Sequence, residues 1–217
     1  MIPLAVRTAQ RAVSRYKTRD PFELAEAKKI KIWPFEQPES LLGLYVVLNR
    51  TQYIGINRQA DETQTRTCLL HELGHSLNDY KAASSGYKFS DNFHFFSMSS
   101  APMEEAANLT AAELYISDEY ILDQICYEHY MRTLDYIRQH MESYSLPQAQ
   151  EQFRDEQMRE FYDCHPELPT CDMLAKDLGI AEELVRYKLR ILKYKDIDLP
   201  NIPETHSDFL RSWKNAS

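Results

Sequence analysis

The chain has 217 residues, 43% of them apolar, and a formal net charge of −8. That length can bury a sizeable core as one domain, or as one domain with a smaller appendage. No apolar run approaches the ~20 residues of a membrane-spanning helix, and the acid surplus argues against a large phosphate-binding surface, so neither a membrane nor a nucleic acid is the expected partner.

The N-terminus, "MIPLAVRTAQRAVSRYKTRD", spreads basic residues through an amphipathic pattern and lacks the continuous apolar stretch of a signal peptide, so a cytoplasmic protein is expected. Val6 to Ile30 reads as helices interrupted at Asp20-Pro21, where proline suits the first turn of a new helix. The period then changes. "LLGLYVVLNRTQYIGIN" predicts a hairpin of Leu42 to Leu48 against Tyr53 to Asn57, broken at Asn49 to Gln52. From about Asp61 the pattern turns helical, with Asp61 or Thr63 as N-cap and Leu70, Leu73 and Leu77 at i, i+3 and i+7.

Ser84 to Ser100 is an aromatic-rich loop with room for an edge strand. A helix follows from Pro102 through "MEEAANLTAAELYI", with Ser99 or Ser100 available to cap it. Ser117-Asp118 opens a long helix to about Tyr144, and Pro147 opens another that ends before His165-Pro166. A last helical pair, Leu174 to Leu192 with Gly179 at the turn, has the form of a helix-turn-helix before a proline-punctuated tail. Cys68, Cys126, Cys164 and Cys171 are too scattered for a disulfide framework and are expected to be reduced and mostly buried. Cys164, His165 and Cys171 lack the short spacing of a zinc ribbon and read as a surface turn.

Within "RTCLLHELGHSLNDY", His71 and His75 stand four apart on a helix, so both imidazoles can face one ion. Glu72 is rotated by about 100° from His71, which keeps it off the metal and within reach of a water there. This is the H-E-x-x-H arrangement, and zinc suits two imidazoles plus a carboxylate with a fourth position open. The pattern arises by chance in about 2 of 100 chains of this length and composition, so its context has to decide. Gly74 costs a helix ~1 kcal/mol relative to alanine, which is understandable where a neighbouring element approaches closely. The required third ligand is sought in "MEEAANLTAAELY", where Glu104 and Asn108 stand at i and i+4 and Ala106, Ala107, Ala111 and Ala112 permit close packing.

A hairpin ending in "YIGIN", then "TCLLHELGHSL", then "EEAANLTAAELYI" together resemble the ImmA/IrrE family of metallo-endopeptidases, over roughly Val6 to Ile121. Thr110 departs from the aromatic common at its position, and "LYIS" from the frequent L-L-x-P ending. The resemblance implies an α+β fold, a mostly helical zincin-like domain with a small sheet beside the H-E-x-x-H helix. It implies Zn²⁺ held by His71, His75 and Glu104, Asn108 supporting a ligand, and Glu72 as catalytic base. It further implies a specific intracellular protein substrate, a helix-turn-helix repressor of a phage or mobile element. Glu105 and Glu113 compete with Glu104, but they leave the helix about 100° away and on nearly the opposite side. For the oxyanion donor the candidates are His94 and Tyr53.

The expected organisation is therefore a zincin-like domain over 1–121 and a helical C-terminal region over 122–217 that packs on it or is appended to it. A competing reading is a DNA-binding or protein-docking regulator with a non-catalytic zincin site, in which Arg186, Lys188, Arg190, Lys193 and Lys195 contact phosphates.

Overall fold

The computed structural model describes residues 1–36, 41–85, 89–92, 102–141, 143–164 and 168–200. His94, Ser99, Ser100, His165 and the tail after Pro200 lie outside them. The described chain is an α+β fold of mostly helices with one small sheet. The described residues form two compact units: Met1–Ser117 with Asp172–Ile197, and Asp118–Cys171 with residues 198–200. This differs from a division at 121/122, because the last helical pair belongs to the first unit.

In the first unit α1 spans Ile2–Tyr16 and α2 spans Pro21–Ala27. The Asp20 side chain accepts from the Phe22 and Glu23 amides, and Pro21 occupies a first-turn position where no N–H is needed. Three strands follow: β1 (Lys31–Phe35), β2 (Leu41–Leu48) and β3 (Thr51–Asn57). Asn49 and Arg50 both have positive φ, as a two-residue I′ turn requires, so Thr51 and Gln52 pair inside the ladder instead of joining the break. β1 was not anticipated from the sequence. It runs parallel to β3 on the sheet's edge, where the missing N–H of Pro34 is tolerated. A short β4, Phe89–Asn92, closes the other edge, giving the order β1-β3-β2-β4.

One sheet face packs on α3, Glu62–Asn78, which opens with a capping box between Asp61 and Gln64. A short α4, Tyr80–Ser84, follows. Against α3 lies α5, Pro102–Tyr115. A Cβ on Gly74 would stand 2.4 Å from the Ala107 carbonyl oxygen, so no other residue fits where the two backbones meet. Ala107, Ala111 and Ala112 are fully buried, and Asn78 Nδ2 donates to Thr110 Oγ1 at 2.9 Å and to the Ala106 carbonyl at 3.3 Å.

The last pair, α9 (Cys171–Leu178) and α10 (Glu182–Tyr194), is tied into this unit by polar contacts. Thr67 Oγ1 accepts from the Ala181 amide at the start of α10, and Arg66 and Tyr115 both donate to the Leu178 carbonyl. Buried Glu113 takes Lys188 Nζ at 2.6 Å and Lys195 Nζ at 2.8 Å, while Gln10 donates to it from α1. Arg190 pairs with Glu105, and Arg186 with Glu182 and Glu183. Four of the five bases proposed as phosphate contacts are therefore engaged by carboxylates, and Lys188 has no exposed surface. Phosphate contacts at these residues would have to compete with those carboxylates, because α10 and the residue after it turn their cations onto α5 and the helix's own first turn.

The second unit consists of α6 (Asp118–Gln124), α7 (Tyr127–Met141) and α8 (Pro147–Cys164) around Ile125, Tyr130, Phe161 and Leu168. The single long helix expected from Ser117-Asp118 is broken at Cys126, whose φ of 53° is left-handed. No glycine or proline marks that break. Burial, with the charge of Asp198 adding, pushes the Tyr130 phenol up to about 12. All four cysteines are free, but Cys126 and Cys164 are exposed, so only Cys68 and Cys171 match the expected burial. No helix among the described residues is long and apolar enough to cross a membrane.

Removing the Glu113 carboxylate strands a buried ammonium. Glu113→Ala is expected to lower unfolding free energy by about 3–5 kcal/mol in urea titration, and Glu113→Leu with Lys188→Met to recover most of it. Equal stability of Glu113→Ala and the wild type would contradict the pairing.

Candidate metal centre

His71, Glu72 and His75 are all fully buried in the middle of α3. The two imidazoles project from one face and present Nε2 to each other at 3.0 Å. From α5, one turn before Asn108, Glu104 brings Oε2 to 3.2 Å from His71 Nε2 and 3.3 Å from His75 Nε2. Glu105 is turned away onto Arg190 and Glu113 onto Lys188 and Lys195, so Glu104 is the glutamate of α5 that the structure brings to the histidines.

The far nitrogens fix what the near ones offer. His71 Nδ1 lies 2.7 Å from Asn108 Oδ1, and His75 Nδ1 lies 2.8 Å from Asp79 Oδ2. A carboxylate only accepts, so His75 Nδ1 carries the proton, and the same holds for His71 with the amide oxygen toward it. In the neutral rings each Nε2 is then a lone pair. Two lone pairs and a carboxylate oxygen converging at 3.0–3.3 Å repel one another unless a cation sits among them. Donors sharing one tetrahedral ion at ~2.0–2.1 Å stand about 3.3 Å apart, so the donor set and its spacing fit a metal ion.

Burial alone would raise the Glu104 carboxyl; only with His71 and His75 protonated do their hydrogen bonds and charge outweigh burial and hold it well below the usual range, and a cation in their place would act in the same direction. Glu104 keeps 26% of its side chain exposed whereas both histidines have none, so the centre opens on the α5 side.

Glu72 lies outside this triangle and faces the sheet. A Cβ on Gly43 in β2 would come within 3.0 Å of Glu72 Oε1 and 2.1 Å of Cys68 Sγ, so glycine is needed where the strand crosses the carboxylate. Strand alternation puts Tyr45 on the same face as Gly43. Its phenol is raised by burial, with Tyr80, Asp79 and Glu72 adding, and its hydroxyl donates to Gln52 Oε1 at 2.8 Å. Tyr53 has the other parity. It stacks edge-on against Trp33 and beneath the Lys31 ammonium, so the structure does not bring this candidate oxyanion donor to the centre. His94, the other candidate, lies outside the described residues. Asp79 escaped the sequence reading, although its place four residues beyond His75 on the same helical face is a legible signal.

The model of the IrrE N-terminal-like domain, peptidase family M78, matches residues 25–190. The chain belongs to that family. Family membership makes residues 25–190, which include parts of both units, metallopeptidase-like and agrees with the paired histidines and glutamate. The chain is also similar to "Uncharacterized immunity region protein 2" of Bacillus phage phi105, at 31% identity over 128 residues, covering 59% of this chain and 76% of that protein. No solved structure matches the chain.

Groups that orient metal-bound imidazoles typically contribute about 10–100-fold to affinity. Asn108→Ala and Asp79→Ala are each expected to weaken metal binding by that amount in competition with a chromophoric chelator, while Glu105→Ala leaves it unchanged. Unaltered affinity in both of the first two variants would remove their orienting role.

Proposed function

We propose that this protein is a zinc-dependent endopeptidase of the cytoplasm that cleaves one specific protein, a helix-turn-helix repressor of a phage or mobile element. The observation that carries the proposal is the convergence of His71 Nε2, His75 Nε2 and Glu104 Oε2 with a buried glutamate next in sequence to the first histidine. Two imidazoles and a carboxylate without sulfur, on three protein ligands, are the donor set of a catalytic zinc site. Membership of a peptidase family supports the reaction class, and similarity to a phage immunity region protein supports the setting of the substrate.

In this reading His71, His75 and Glu104 hold the ion, which when bound polarises the scissile carbonyl and acidifies water. Asn108 and Asp79 keep both imidazoles in the tautomer that presents Nε2. Glu72 accepts the proton of the attacking water and passes it to the leaving amine nitrogen, so the peptide bond breaks with a free carboxylate and a free amine as products. Gly43 leaves that carboxylate uncrowded from the sheet side.

Glu72→Gln is expected to retain about one zinc per chain while turnover falls by about 10³-fold or more. The assay incubates purified protein with repressors encoded beside its gene and follows fragments by mass spectrometry. Retained cleavage by this variant would defeat the mechanism. Casein is expected to remain almost intact under the same conditions, and its rapid, indiscriminate digestion would contradict a single-substrate enzyme.

A further inference from the structure

Charge is distributed unevenly along the chain. The first 31 residues hold eight lysines and arginines against three acids, a net of +5, so the remainder carries −13 within the total of −8. Helix α1 has no acidic residue. Leu4, Arg7, Arg11 and Arg15 follow at spacings of three and four and share one face, and all four are exposed. Ala5, Val6, Ala9 and Ala12 occupy the opposite face and are buried. The arginines thus form the outermost line of the helix, spanning ~12 Å. With Gln10 and Ser14 they line a shallow surface cavity of about 390 Å³.

Like charges four residues apart weaken a helix, and among the described residues no carboxylate offsets these three. Arg7 Nε donates to its own helix at the Pro3 carbonyl, 3.2 Å away, and the Arg15 guanidinium lies over the Tyr16 ring. Burial, and then the neighbouring charge of Arg15, hold the Lys28 ammonium below its ordinary value. Arg19 is different: it is used internally, donating to the Glu113 and Leu114 carbonyls.

We infer that this face of α1 is a docking surface for an acidic segment of a partner polypeptide. Guanidinium forks match carboxylates with two parallel hydrogen bonds each. The ~12 Å ridge fits about four residues of extended chain at ~3.3 Å per residue, a short segment and not a long track. Duplex nucleic acid would bring phosphates against the acidic remainder of the chain. A membrane surface requires an apolar anchor, but Leu4 is the ridge's one apolar residue and the apolar face of α1 is already buried. The inference does not rest on the metal chemistry.

The test uses the full chain and its Arg7→Gln/Arg11→Gln/Arg15→Gln variant, with a fluorescein-labelled glutamate-rich peptide as probe. Duplex DNA and phosphatidylserine-containing vesicles form the parallel arms. The wild type is expected to bind the peptide at low salt, more weakly as salt rises, and the triple variant to lose about tenfold or more in affinity with metal stoichiometry and melting temperature unchanged. The inference is overturned by absence of peptide binding to the wild type or by undiminished binding to the variant. It is equally overturned if the same arginines bind DNA or vesicles more tightly than the peptide.

Discussion

The approach of α3 to α5 at Gly74 and Ala107 is the constraint on which the site depends. Gly74 lies between the two histidines in sequence, and Ala107 lies between Glu104 and Asn108. Where the helices touch backbone to backbone, one turn of each is brought within side-chain reach of the other. His71 meets Asn108 with one nitrogen and Glu104 with the other. A single added methyl, 2.4 Å from the Ala107 carbonyl oxygen, would force the helices apart and part the ligands. The tightly packed alanines of α5 and the Asn78 contacts to Thr110 and Ala106 hold that register along the interface.

Electrostatics then divides the glutamates of α5 by the direction in which the helix turns them. Glu104 faces α3 and two imidazole nitrogens. Glu105 and Glu113 face α10 and its cations. A buried ammonium such as Lys188 is tolerable only beside its carboxylate, so α10 is committed to the first unit. The helix with the outline of a DNA-reading helix also braces α5, the helix that carries the third candidate ligand.

Much of this was legible in the sequence, and for identifiable reasons. The H-E-x-x-H motif and the E-x-x-A-N run of its partner are local patterns, and Gly74 inside the helix marks a close approach. The hairpin followed from one change of period between Ile30 and Asp61, and the α+β class from the family resemblance. Long-range pairing was not legible. Nothing local to Lys188 announces Glu113, which is 75 residues away in sequence. β1 was hidden because a short run with proline and lysine becomes a strand only when β3 supplies its partner. The break at Cys126 carries no glycine or proline. The face of Tyr53 was not legible either: a one-residue difference along a strand exchanges the faces, and the site's side of the sheet belongs to Tyr45 and Gly43.

The central claim is that one ion is shared by His71, His75 and Glu104 across the α3–α5 interface. Its most direct test is a crystal structure of the zinc-loaded protein, with anomalous scattering to locate the ion. The account predicts a single site bound by both Nε2 atoms at ~2.0–2.1 Å and by a Glu104 oxygen at ~2.0–2.2 Å, with Glu72 outside the coordination shell. An ion found on Asp79, Glu105, Glu113 or the cysteines, or Glu72 acting as a ligand, would contradict it.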